Sequence, residues 1–417
     1  MRPAPQPPTR PTAGWQPGQL AYCSNVHPAP TLEALERVVS GHLAAVRRER
    51  RLQAMGAGLW IGATAARALQ EPGRTRAFGH LLEREGIRLF TLNGFPYDDF
   101  HTERVKERVY RPDWSDPRRL AYTLNLARIL ADNLPGDEPE GTISTLPLGY
   151  APGWGPQRQQ EALTALCRLV RELGELHRER GRRIRVCLEM EPGCVLERSD
   201  QIIDLFTREL PAEARRQGLS PELLRRHLGV CYDVCHQAVM FEDPAESIPL
   251  MLGAGIRIGK IQLSSALQLD RPAAGEQMAL LTEFVEPRYL HQVRTRDRTG
   301  GTLSGVMDLP EALADPCPLP LDGPWRIHFH LPIQLAHPDR AGLSTTREAI
   351  TGVLEQLRLN PGLRPHLEVE TYTWQVLPPA LRPADDAALH RGLARELAWL
   401  EAEMNEQGLI GGEYCGG

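Results

Sequence analysis

VCLEMEPGC, residues 186–194, is the stretch on which the fold turns. It reads as an apolar β-strand that runs into two acids, Glu189 and Glu191. Side chains alternate faces along a strand, so both carboxylates point the same way. Two acids on one face beyond an apolar strand are costly unless paired or liganded. The construction recurs. In GVCYDVCH (229–236) a strand closes on Asp233, and His236 follows three residues later, a spacing at which both can share one metal. The plainer alternative is an N-cap aspartate with a histidine nearby. HLEVETYTW (366–374) repeats the two-acid pattern with Glu368 and Glu370, and Tyr372 and Trp374 follow as walls for a pocket. RIHFHLP (326–332) puts His328 and His330 on one strand face, an arrangement that suits a metal. IRIGKIQLSSA (256–266) puts Lys260, Gln262 and Ser264 on one face. Charge balance among the acids is the first role expected of Lys260, ahead of a substrate contact or a Schiff base.

Working outward, short apolar runs alternate with amphipathic stretches along the chain. The strands expected are Gln19–Cys23, Leu59–Gly62, Arg88–Leu92, Thr142–Leu146, Arg185–Met190, Gly229–Asp233, Arg257–Leu263, Arg326–Leu331 and His366–Glu370. Helices lie between most of them. Thr31 caps one, Asp116-Pro117 starts another, 156–180 forms a long one, Thr345 with Glu348 has the capping-box pattern, and 385–404 closes the chain. Alternating βαβα implies a parallel sheet. We expect an α/β fold, a (β/α)8 TIM barrel, spanning residues 18–405. Nine strand candidates are one too many for such a barrel, so one belongs to an addition outside it. Residues 264–324 have weak periodicity and read as an insertion over the catalytic face. The proline-rich 1–17 and the glycine-rich 406–417 read as loose tails.

In parallel α/β folds, ligands bind at the carboxyl ends of the strands, so the residues there are the site candidates. TLNGFPYDDFH (91–101) contributes Asn93, Tyr97 and His101, amides and aromatics that suit a sugar, and His291 in YLHQ is placed to cover the site from the insertion. The chain has 417 residues, 41% hydrophobic and 24% charged, with a formal net charge of -5. That charge argues against a general nucleic-acid binder, which needs a basic face. Lys106 and Lys260 are the only lysines among 48 basic residues. Eight cysteines without CxxC spacing, and the absence of a signal peptide or a bilayer-spanning run, predict a reduced cytoplasmic protein without membrane insertion.

VCLEMEPG, GVCYDVCH and LEVET resemble the metal-binding strands of the xylose-isomerase-like barrel superfamily, which includes sugar isomerases, epimerases and endonuclease IV. The likeness favours Glu189 over Glu191 and Glu370 over Glu368. TLNGFPY, GVCYDVCH, YLHQV, HFHLP and HLEVETYTW together look more closely like the EboE family of metabolite-traffic barrel proteins encoded in a bacterial operon. That resemblance implies a small polyol or cyclitol-derived ligand and possible operon-encoded protein partners. One departure stands out: the isomerases carry a histidine, often followed by an aspartate two residues on, where this chain has Gln262 and Ser264.

These readings converge on a metal-dependent isomerase or epimerase of a small polyhydroxylated metabolite. Mn²⁺, Zn²⁺ or Mg²⁺ would be held by residues drawn from Glu189, Glu191, Asp233, His236, Gln262, His328, His330 and Glu370, with Glu189 and Glu370 exchanging the proton. Substrate contacts are expected from Asn93, Tyr97, His101, His291, Tyr372 and Trp374. The rival readings are a Schiff-base aldolase or lyase built on Lys260 and a non-catalytic metabolite-binding barrel.

Overall fold

A computed structural model describes residues 14–273, 275–297, 301–338 and 342–411. Eight parallel strands close into a barrel: β1 (Leu20–Cys23), β2 (Met55–Trp60), β3 (Ile87–Asn93), β4 (Glu140–Thr145), β5 (Arg183–Glu189), β6 (Leu228–Asp233), β7 (Ile258–Leu263) and, last in the chain, His366–Val369. That last strand pairs with both β1 and β7 and so shuts the cylinder. This is the (β/α)8 architecture expected from the alternating pattern.

Helices form where capping and periodicity predict. Thr31 accepts from the Ala34 N–H, Asp116 from the Arg118 N–H, and Asp385 from the Ala388 N–H. The long helix Pro156–Arg180 stops at Gly181, whose φ of 65° is a left-handed conformation that glycine adopts without strain. The helix Glu348–Leu359 has no side-chain cap. Thr345 lies instead at a strand end, its hydroxyl bonded to the Leu335 carbonyl, so the expected capping box does not form.

β2 begins at Met55 and ends at Trp60, ahead of the expected Leu59–Gly62, because glycines at its inward positions hide its first half from a reading by apolar runs. A Cβ at Gly56 would lie 2.5 Å from the Phe90 ring, and one at Gly58 would lie 2.2 Å from the Glu368 carboxyl carbon. The glycines make room for side chains that cross the barrel.

The segment between β7 and the helix Glu348–Leu359 is a second, antiparallel sheet, not loop. Its strands are β8 (Ser265–Leu269), β9 (Val293–Thr295), β10 (Ser304–Val306), β11 (Trp325–Leu331) and β12 (Leu343–Thr345), in the order β10-β9-β11-β8-β12. The closing barrel strand, His366–Val369, is β13. The inserted region therefore runs well past residue 324, and RIHFHL is the strand outside the barrel. Its alternation explains the ambiguity. Trp325, Ile327, Phe329 and Leu331 are fully buried on one face, and His328 and His330 project from the other. Such a strand has the same pattern in a barrel wall or in a sheet laid over the mouth.

The ends are partly tied down. Trp15 is buried and pairs through its backbone with Ile410, which seats residues 14–17 and 409–411 against the domain. Residues 1–13 and 412–417 of the expected tails lie outside the described residues. Among the described residues, no helix is long and apolar enough to cross a membrane.

Candidate metal-binding active site

The barrel interior is a polar column built from inward positions of separate strands. At mid-height the Lys260 Nζ lies 2.6 Å from Glu368 Oε2, and both side chains are 0% exposed. Asn93 completes this layer. Its Oδ1 accepts from Lys260 at 2.6 Å, and its Nδ2 donates to Glu368 Oε1 at 2.7 Å. Ser144 donates to the same Oδ1 at 3.2 Å. Burial lowers the Lys260 pKa, but the Glu368 charge more than offsets it and the net direction is upward. Lys260 is a locked cation.

Above this layer, at the carboxyl ends of the strands, Glu189, Asp233 and Glu370 bring carboxylate oxygens within 4.8 Å of one another. Each leaves a different strand: β5, β6 and the end of β13. Burial first, then the neighbouring acids, raises the pKa of Glu189 and Glu370 well above the usual carboxylate range. Burial also pushes on Asp233, but His236, His330, the His236 N–H and the Ser264 hydroxyl outweigh it and hold Asp233 below its ordinary value. Ser264 donates to Asp233 Oδ1 at 2.8 Å. Asn25 donates to Glu370 Oε1 at 2.8 Å, and the Cys23 thiol reaches the same oxygen at 3.4 Å. Among the described residues, Glu189 Oε2 and Asp233 Oδ2 are buried without a hydrogen-bond partner. Unpaired buried carboxylate oxygens are expensive, and a cation or a proton would satisfy them.

The histidines stand beside the acids. His236 follows Asp233 on the helix Val234–Val239, and β11 lowers His328 and His330 from the inserted sheet onto the mouth. His236 Nε2 lies 3.1 Å from His328 Nε2, which lies 3.2 Å from His330 Nε2. Burial pulls His236 down to about 4 and lowers His328 and His330 as well. Glu191, just past β5, accepts from the Tyr110 hydroxyl at 2.7 Å. Burial pushes its pKa up to about 8.

These groups line a cavity holding about 610 Å³ of atom-free space, part of it open to solvent. Phe95, Phe100, Val105, Val109, Leu290 and Tyr372 supply its apolar lining beside the carboxylates and imidazoles. Polar groups set in an apolar lining are the usual make-up of a small-molecule site.

No protein-family model and no curated protein matches the chain. Among solved structures it is similar to a D-tagatose 3-epimerase-like protein, with 13% identity and a TM-score of 0.46 over 93% of this chain and 99% of that one. A xylose isomerase domain protein from Alicyclobacillus acidocaldarius subsp. acidocaldarius has 13% identity and a TM-score of 0.45, with the same coverage. An IOLI protein with a bound zinc atom has 11% identity and a TM-score of 0.46 over 93% of this chain and 98% of that one.

Of the residues singled out in the sequence, Asn93, Glu189, Glu191, His236, Gln262, His328, His330, Glu370 and Tyr372 line the cavity, and Asp233 lies directly behind them with its ligand oxygen in the cluster. Gln262 Oε1 accepts from the Cys231 thiol at 2.9 Å. Four residues expected to contact substrate, Tyr97, His101, His291 and Trp374, are not among those lining the cavity and are engaged by neighbouring groups. Tyr97 packs edge-on against Tyr122, and His101 bonds the Asn25 carbonyl at 2.7 Å. His291 bonds the His328 carbonyl and Glu286 and stacks on Phe329. Trp374 donates to the buried Glu396. Aromatic residues after a strand satisfy packing and binding equally well, so their type alone does not separate the two. Sequence reading overlooked Asn25, which orients Glu370, and Gln292, whose Oε1 lies 2.6 Å from His328 Nδ1. Asn25 carries the usual signal of a polar residue just past a strand end, whereas Gln292 sits in a loop with no pattern of its own.

Proposed function

We propose that this chain is a metal-dependent isomerase or epimerase-like enzyme acting on a small polyhydroxylated metabolite, a sugar or cyclitol, within a cytoplasmic metabolite-traffic system of the EboE type. The observation that carries this reading is the convergence of Glu189, Asp233 and Glu370 from three strands on one point, with unpaired oxygens facing it. These residues fit a divalent ion of the Mg²⁺ or Mn²⁺ kind, which favours oxygen ligands. When bound, such an ion supplies the positive charge that stabilises an oxyanion next to a carbonyl.

The chain's own groups do the rest. Glu370 is fixed at Oε1 by Asn25, and Glu189 keeps Oε2 unbonded, so two carboxylates are available to remove and return a proton. Burial and the neighbouring acids raise the proton affinity of both carboxylates. Glu191, poised near 8, can hold or release a proton at a substrate hydroxyl. The aromatic wall excludes water and packs on the C–H face of a sugar or cyclitol ring. The locked Lys260 does not line the cavity, and its raised pKa is the reverse of what a Schiff base requires.

The test is hydrogen exchange. Metal-loaded protein is incubated in D₂O with a panel of small ketoses, aldoses and cyclitol ketones, and loss of the α C–H signal is followed by NMR. We expect exchange on at least one member, abolished by Glu370→Gln. Absence of exchange across the panel, with the metal demonstrably bound, overturns the enzyme reading in favour of a binding role.

A further inference from the structure

We propose that the inserted sheet builds a second metal seat, formed by the Nε2 atoms of His236, His328 and His330, next to the carboxylate seat and sharing Asp233 with it. The inference goes beyond the isomerase reading and does not depend on it.

The argument starts from where the ring protons must be. His236 Nδ1 lies 2.9 Å from the Met190 carbonyl oxygen, and His330 Nδ1 lies 2.9 Å from the Glu370 carbonyl oxygen. Carbonyl oxygens only accept, so each of these Nδ1 atoms carries its ring's proton. His328 Nδ1 lies 2.6 Å from Gln292 Oε1. That amide cannot be reversed, because its nitrogen donates to the Pro192 carbonyl and the Tyr110 hydroxyl, both at 3.0 Å. His328 therefore also carries its proton on Nδ1.

With every Nδ1 donating outward, Nε2 is the ring nitrogen that each histidine leaves for a ligand. Their Nε2 atoms meet at 3.1 and 3.2 Å. Lone pairs at that separation repel unless a cation lies among them. The spacing is also that of ligands. With metal–nitrogen bonds of about 2.0–2.1 Å, these separations subtend about 100° at the ion, between the octahedral and tetrahedral angles. Orienting each ligand histidine through an Nδ1–H bond to an oxygen is the usual outer-shell arrangement of an imidazole metal site.

A carboxylate completes the set. Asp233 has a carboxylate oxygen within 4.8 Å of a ring nitrogen on both His236 and His330, as Glu191 has for His236 and His328. Asp233 also belongs to the trio with Glu189 and Glu370. Its Oδ1 is engaged by Ser264 and the His236 N–H, leaving Oδ2 for the ions. The histidine seat offers three nitrogens and one oxygen, a set that suits Zn²⁺, Co²⁺ or Fe²⁺, whereas the trio offers oxygens alone. Two seats of different chemistry therefore stand side by side. Two of the three imidazoles come from β11, so the histidine seat exists only because the sheet is laid over the barrel.

The experiment strips the full-length protein with chelator and titrates it with Co²⁺, reading metal per chain by elemental analysis, the visible d–d spectrum, and nitrogen scattering in the X-ray absorption of the bound ion. We expect two ions per chain, an intense visible band from the nitrogen-rich seat, and histidine scattering in the wild type. The double variant His328→Ala/His330→Ala should keep one ion and lose the band. Glu189→Gln/Glu370→Gln should keep one ion and the band. If the wild type binds one ion that the histidine variant retains, the second seat is refuted and the carboxylate site stands. If the wild type binds one ion that only the histidine variant loses, the histidine seat stands and the carboxylate site falls. If the wild type binds a single ion that each double variant abolishes, the residues form one shared site and the two-seat inference fails. Wild-type X-ray absorption without histidine scattering refutes the seat without reference to any variant's folding.

Discussion

Replacing Lys260 with methionine leaves the Glu368 carboxylate charged and alone at the centre of the barrel. The wild-type pair sits at 2.6 Å with neither side chain exposed, so water does not screen it. Removing one partner of a buried pair costs about 3–5 kcal/mol, because the remaining charge cannot be solvated. For a 417-residue chain the unfolding entropy is about 0.9 kcal/mol per degree, so the melting temperature should fall by about 3–6 °C. Asn93 will not rescue Glu368, since it already donates to Oε1. The double variant Lys260→Met/Glu368→Gln removes both charges, keeps an acceptor for Asn93 and should recover most of the loss. Thermal denaturation followed by circular dichroism reads all three proteins. The reasoning is refuted if Lys260→Met melts within a degree of wild type, or if the double variant is no better than the single. An aldehyde adduct trapped on Lys260 by borohydride would also sink the charge-balance role, and would revive the Schiff-base reading.

Gly58→Ala should destabilise the protein by about 1–3 kcal/mol, since its Cβ would collide with a Glu368 side chain that Lys260 and Asn93 hold in place; denaturant midpoints check this. Glu396 is fully buried, bonded to Thr371, Trp374 and the Ile333 N–H, and burial pushes its pKa up to about 7. Its folded pKa is above the unfolded one, so its contribution is fully present below about pH 4.5 and is lost as pH rises through 7. The stability difference between wild type and Glu396→Gln should therefore shrink by about 3 kcal/mol between pH 4.5 and pH 8, and an unchanged difference would count against the assignment. Gln292→Leu removes the acceptor that fixes the His328 tautomer and should weaken Co²⁺ or Zn²⁺ binding about 10–100-fold in calorimetric titration, with folding intact.

Much of the architecture was legible because a parallel barrel writes itself into the chain locally. The strands that carry the acids are apolar runs ending in polar residues, and several helices carry their own cap and stripe, so 186–194, 229–236 and 366–374 could be placed in order before any contact was known. The two-acid pattern likewise marked the strands that reach the mouth. Side-chain alternation put Glu189 and Glu191 on one face, and did the same for Glu368 and Glu370. It could not say that Glu368 stops at mid-height against Lys260 while Glu370 continues to the cavity. That depends on register around the closed cylinder.

Tertiary structure alone decided the rest. RIHFHL has one period whether it forms a barrel wall or an added sheet, because alternation reports that one face is buried and not against what. Only the antiparallel pairing of β11 with β8 and β9 carries His328 and His330 to His236, and only the surrounding carbonyls and Gln292 fix which nitrogen of each ring faces inward. The sequence by itself determined the barrel and the chemical types at its mouth, since both follow from short-range periodicity. Which of those groups meet, at what distance and in which protonation state, is a property of long-range packing that no local pattern encodes.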